Sequence, residues 1–395
     1  MGRDFFPLDE LLALLPTAYS PFLVEAMVRL GARLPFAQVA DEMRLLFRVS
    51  VSADTVRRLT EEAGAIQVRI EQRELERLER EAPPEREGPA AQQLSADGVM
   101  VRLTDGAWTE VRTISLGVIE ERQGEAHATN LSYFSRRCSA DAFIRQATLP
   151  TAERGTRSAE TVVAVMDGAS WLQELIVEQC PDAVRIPGTH LWVFPHAVGY
   201  LTQVAHAVFG AESQEAARWL DEWASKLKSE EPEMVLAAVR ALPTPSREAA
   251  RAKRTALRYL GQRLEQIRYA AFQAQGYPIG SGIVESAGKL VVGARLNGSG
   301  MHWEDRNLNP MLALRGRLCS GQWEEVWPGI WREWRARVRQ RQRERRVVCQ
   351  AQHAADRALQ APAPPPPPKR KREKTIVGGR PTAAHPWKQP TPQAA

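Results

Sequence analysis

Residues 94–117 read LSADGVMVRLTDGAWTEVRTISLG, and their alternation decides the fold class. Apolar and polar residues trade places through 93–103 and again through 107–121, with Thr104-Asp105-Gly106 between them. An Asp-Gly step between two alternating runs predicts a β-hairpin. Further on, Thr161 to Met166 (TVVAVM) is a short unbroken apolar run, as expected of a strand covered on both faces. Helical patterns follow from Trp171 to Glu178, through most of 196–274, after Gly282, and from Trp303 to Trp334. Strands interleaved with helices imply an α/β chain.

Upstream of the hairpin the period is that of helices. SPFLVEAMVRLGARL and PFAQVADEMRLLF precede the break RVSVS, after which ADTVRRLTEEAG predicts a helix of about three turns, capped by Ser52 and stopped by Gly64. The pattern fits a helix-turn-helix, with Thr55, Arg57 and Arg58 near the start of a recognition helix suited to a DNA major groove. A helical bundle with a charged face is the competing explanation. Residues 65–92 begin as a charged helix and end as a Pro-rich spacer, which places a boundary at 83–92.

The chain of 395 residues carries 53 Lys and Arg against 47 Asp and Glu, with a pI near 9.3, which favours an anionic partner. The positive charge is concentrated in WREWRARVRQRQRERR (331–346) and KRKREK (369–374). Four dispersed cysteines suggest neither a zinc module nor a disulfide framework and point to a reducing cytosol. MGRDFFPLDELLALLP has acids inside its apolar run and does not read as a secretory signal, and no run of roughly 18 apolar residues exists to span a bilayer. Beyond about 347 the Pro-rich, basic sequence predicts a disordered tail.

Three acids stand in three different settings. Asp167 closes the apolar strand, where α/β proteins place reactive groups, although Asp167-Gly168 also reads as a turn or cap. Asp97 lies within the first hairpin strand, where propensity disfavours it; Asp105 competes with it, but already serves as the turn residue. Glu285, in YPIGSGIVESAGK, falls in a first helical turn, where the helix dipole and Lys289 offer a structural explanation of their own. Strand, strand and helix thus deliver Asp, Asp and Glu in that order, which fits a carboxylate site for two metals about 4 Å apart that clamps an in-line phosphoryl displacement.

That order resembles the RNase H-like core of DDE transposases, and more specifically the ISKra group of bacterial insertion-sequence transposases in the Mutator-like superfamily. The resembling stretches are 94–117, VMDGASWLQELI (165–176), FPHAVGYLTQVAHAVFG (194–210), YPIGSGIVESAGKLVVGARLNGSGMHW (277–303) and NLNPMLALRGRLCSGQWEEVW (307–327). The resemblance covers about 90–330 and implies an RNase H-like core over 93–195 and 275–346 with a helical insertion at 196–274, preceded by the helix-turn-helix region at 1–82 and followed by the disordered tail at 347–395 that the residues themselves suggest.

It further implies that Asp97, Asp167 and Glu285 hold Mg²⁺, with Mn²⁺ as a substitute, and that the protein cleaves and joins DNA at terminal inverted repeats in a bacterial cytoplasm, associated with the nucleoid. A homodimer or larger assembly on paired DNA ends follows, and a membrane has no part. His196 matches the family's His and would contact the scissile phosphate or orient a carboxylate, but Val193 stands where an Asp or Cys is usual. That departure leaves a second expectation, an impaired transposase acting as a DNA-binding repressor. Arg295 suits a phosphate contact and Trp303 a stack on an unpaired base, against the alternative of a surface Arg and a core Trp.

Overall fold

A computed structural model describes residues 19–166, 170–180, 190–192, 194–280, 282–359, 376–377, 380–381, 385 and 388. The chain forms two compact units, residues 1–339 and 340–395.

The first unit is built on a five-stranded mixed sheet of order β3-β2-β1-β4-β5. Strands β1 (Ala91–Arg102), β2 (Trp108–Arg122) and β3 (Glu125–Arg136) form an antiparallel meander. The first turn is as expected: Asp105 Oδ1 accepts the Ala107 N–H at 2.9 Å, and Gly106 takes a φ of 86° that its missing Cβ allows. The second turn has Gln123 and Gly124 at φ 56° and 81°. A glutamine in the left-handed position disguises the hairpin signal, so that β3 has no plain mark in the sequence.

Helix α4 (Ala140–Glu153) leads to β4 (Thr161–Met166), which pairs parallel with β1; α5 (Ser170–Gln179) leads to β5 (His190–Trp192), parallel to β4. Both faces of the sheet are covered. Leu94, Ala96, Ile114, Leu116 and Phe134 pack on Phe143 and Ala147 of α4 and on Leu172 and Leu175 of α5. On the other face, Val163 and Val165 lie against Ala197, Leu201 and Val204 of α6 (Phe194–Phe209). This helix opens the expected insertion, which continues through α7 (Gln214–Ser229), α8 (Pro232–Ala241), α9 (Arg247–Gly261) and α10 (Tyr269–Ala274). Val101 and Val111 meet Ala287, Val291 and Leu312 on that same face.

The N-terminal helices α1 (Pro21–Gly31), α2 (Phe36–Phe47) and α3 (Ala53–Glu81) contain the predicted cap, with Ser52 Oγ accepting the Thr55 N–H at 3.1 Å. The predicted stop at Gly64 is corrected, because α3 runs straight through it for 29 residues. A Cβ on Gly64 would sit 2.2 Å from the Pro310 oxygen, so this glycine serves a close helix crossing rather than a helix end. Helix α3 ends where Ala82 turns left-handed, ahead of Pro83, and residues 83–90 connect it to β1 within the same compact unit. The crossing partner is α12 (Asp305–Cys319). Val24, Met27, Met43, Leu59 and Ile66 share one core with Leu314 of α12 and with Trp323, Trp327 and Trp334 of α13 (Trp323–Leu359), of which Trp323 and Trp327 stack.

In the second unit, 347–359 is the end of α13 rather than disordered tail, since VVCQAQHAADRAL is rich in helix formers. Most of 360–395 lies outside the described residues; Ile376–Val377 and Arg380–Pro381 pair antiparallel.

A candidate acidic site at one end of the sheet

The parallel strands β4 and β5 end together, at Met166 and Trp192, while β1 runs on past them to Arg102. Leu94 pairs with Ala164, and Ala164 with His190, so Asp97 lies three residues further along β1, toward the end at which β4 and β5 finish. Asp97 is half-buried opposite Thr113 of β2, and its Oδ1 accepts the Gly98 N–H at 2.7 Å. Alternation places it on the face of Gln93, Ser95, Val99 and Val101.

This face is polar under Asp97, although it is covered. Gln93, Ser95, Thr113, Ser115 and Ser135 are all buried. The Thr113 and Ser135 hydroxyls are 2.8 Å apart, and Gln93 Nε2 donates to Ser95 Oγ at 3.2 Å and to the Gly280 oxygen at 3.0 Å. Buried polar side chains are costly unless bonded, so such a row marks a place where the core has been given up for another purpose.

Glu285 arrives on α11 (Gly282–Ala287), which packs over β1 and β2. Two contacts bracket the segment along β1. At one end stands the Gln93–Gly280 bond; at the other a Cβ on Gly288 would lie 3.1 Å from Val99 Cγ2. Asp97 and Glu285 both fall within that span, and Glu285 is exposed. His196 is exposed in the first turn of α6, and the Phe194 N–H of that turn donates to the Ile279 oxygen at 3.3 Å. Consecutive residues Ile279 and Gly280 therefore hold α6 and β1 to the approach of α11.

Asp167 and Val193 lie outside the described residues. Among the described residues no group of three His, Cys, Asp or Glu is placed to hold a metal ion. Asp97 and Glu285 offer oxygen donors alone, the ligand chemistry Mg²⁺ takes.

The proposed DNA contacts divide into two sets. Thr55, Arg57 and Arg58 occupy the first turns of α3, as expected. Arg57 bonds Asp54 at 2.6 Å and Glu61 at 2.9 Å, and Arg58 approaches Asp54 at 3.2 Å. The hydrogen bond from Arg57 is the main cause holding the Asp54 carboxyl below its usual range. Arg295 and Trp303 are core residues, 2% and 6% exposed. The Arg295 guanidinium stacks on the Phe36 and Trp303 rings, and Trp303 Nε1 donates to the Leu296 oxygen at 3.2 Å. A DNA contact from either would require this core to open. The exposed tryptophan near the hairpin tip is Trp108, at 59%, paired across the strands with exposed Arg102. Sequence reasoning missed it, and it missed Gln93 as well; glutamine and serine inside an otherwise apolar strand were the available signal.

No protein-family model matches the chain, and no curated protein matches it. Fold and site define an α/β protein with a polar sheet floor beneath Asp97, joined to a helical N-terminal layer.

Proposed function

We propose that the chain is a DDE-type DNA transposase with an RNase H-like core, which binds terminal inverted repeats and performs Mg²⁺-dependent strand cleavage and transfer. The observation that carries this reading is the packing of α11, which bears Glu285, over β1 and β2 between contacts at Gln93 and Val99, the stretch of β1 that bears Asp97. Support for the core comes from the sheet, an antiparallel meander extended by two strands parallel to the first, with helices on both faces.

On this reading Asp97, Asp167 and Glu285 hold Mg²⁺, which when bound supplies a more acidic water and charge for the leaving oxygen. The chain's own residues do the rest. Gln93 fixes the approach of α11, the Thr113–Ser135 bond ties β2 to β3 beneath Asp97, and His196 donates a hydrogen bond to the scissile phosphate. Thr55, Arg57 and Arg58 face the repeat, their carboxylate partners exchanging for DNA. The arginines of 332–346 follow the phosphate backbone.

Labelled DNA bearing the inverted repeats that flank the coding region tests the reading: the parent binds and, with Mg²⁺, cleaves, whereas Asp167→Asn binds without cleaving. Equal cleavage by that variant refutes it. Val193 favours the second reading, a DNA-binding repressor, for which binding without metal-stimulated cleavage by the parent would decide.

A further inference from the structure

The segment that carries Glu285 is gripped on its far side by buried arginines. Helix α11 continues into a six-residue π turn, Gly288–Gly293, and then a short helical turn, Ala294–Leu296. Wide turns of this kind concentrate at functional sites. Arg315, on α12 and 4% exposed, donates through Nε to the Val291 oxygen and through one terminal nitrogen to the Leu290 oxygen. Its other terminal nitrogen donates to the Ala32 oxygen at 2.5 Å. Arg295 adds a bond from Nε to the Gly31 oxygen at 3.1 Å.

Among the described residues neither arginine forms an ion pair, and burial pulls the Arg295 guanidinium down to about 10, helped by the nearby Arg315 charge. Their counter-charge is of another kind. Gly31 and Ala32 end α1, where main-chain oxygens carry the negative end of the helix dipole. The rings of Phe36 and Trp303 present their faces to Arg295 at 4.5 and 5.0 Å. Carrying buried charge without a carboxylate is expensive, and what it secures here is one guanidinium spanning two separate elements.

We propose that Arg315 is a positioning residue for Glu285: it clamps the π turn that follows Glu285 to the C-terminal end of α1, so that the seating of the N-terminal helices sets the height of the carboxylate over β1. The clamp rests on the reading of Glu285 as a metal-holding residue. Lysine retains the charge at this place but has one point of attachment instead of a fork.

The test compares the full-length parent with Arg315→Lys, and with Arg295→Lys should the first variant fail to fold, by hydrogen–deuterium exchange, inverted-repeat DNA binding and Mg²⁺ dependence of cleavage. The clamp predicts about tenfold faster exchange over 282–296 and 28–34, DNA affinity within twofold of the parent, and about a tenfold rise in the Mg²⁺ needed for half-maximal cleavage. Unchanged exchange over 282–296 overturns it, and so does faster exchange with parental Mg²⁺ dependence. Absence of cleavage by the parent, or parental cleavage by Glu285→Gln, overturns the function instead and with it the role of the clamp for Glu285, while the exchange result still decides whether the clamp exists.

Discussion

Gln93 on β1 and Gly280 before α11, 187 positions apart, are joined by a hydrogen bond of 3.0 Å from the glutamine amide to the main-chain oxygen. This bond ties the strand of Asp97 to the segment of Glu285, and the candidate site is organised around it. Gln93→Leu removes the donor and leaves the Gly280 oxygen short of a partner. The expected loss is about 1–3 kcal/mol of stability, read as a lower urea midpoint at unchanged slope.

Two glycines inside helices should respond in opposite directions to alanine. At Gly64 the new Cβ would meet the Pro310 main chain at 2.2 Å, so Gly64→Ala forces α3 and α12 apart at a cost of roughly 1–3 kcal/mol. At Gly199, within α6, nothing lies within 4 Å, and alanine should stabilise by about 0.4–1 kcal/mol. Thermal melting of the two variants beside the parent checks both signs.

Glu71 of α3 is buried with Arg136 and Arg317, and Arg317 reaches on to Glu153 of α4 at 2.7 Å. Burial pushes the Glu71 carboxyl up, but the two guanidiniums outweigh it and hold the group below its ordinary 4.5. A carboxyl depressed in the folded state contributes its full stability above the unfolded value, about 4.5, and loses it as pH falls through the folded value. Glu71→Gln, which strands a buried charge, should therefore cost about 3–5 kcal/mol near neutrality. Its deficit relative to the parent should shrink below pH 4.5, and denaturant titrations at several pH values would read this directly.

The local signals in the sequence reached the structure intact, and those set by distant contacts did not. The Asp105-Gly106 turn, the run Thr161–Met166 and the Ser52 cap each depend on neighbours in the chain, and each was legible. Gly64 misled because its purpose lies at Pro310, far along the chain. Arg295 looks like a surface group in a Gly-rich stretch, yet it is held in the core against Phe36, beside a Trp303 for which the core alternative holds. For the acidic site, sequence order singled out Asp97 and Glu285, but nothing local announced that Gln93 would bind Gly280.

Arg343, Arg345 and Arg346 are exposed near the basic end of α13. If they follow DNA phosphates, converting all three to Gln should lower the slope of log affinity against log salt by about 0.9 for each phosphate no longer neutralised, with no change in sequence preference. Filter binding at graded salt on repeat and scrambled DNA measures both.

Asp97 and Glu285 are proposed to ligate one metal site, and thiol substitution probes that ligation itself. Single-turnover cleavage of inverted-repeat DNA is followed for Asp97→Cys and Glu285→Cys, in Mg²⁺ and then in Mn²⁺, because a thiolate is a poor partner for Mg²⁺ and a better one for Mn²⁺. Both variants should lose at least about a hundredfold in rate with Mg²⁺, roughly 2.7 kcal/mol of barrier, and recover much of it with Mn²⁺. Parental rates in Mg²⁺ from either variant would refute the shared site.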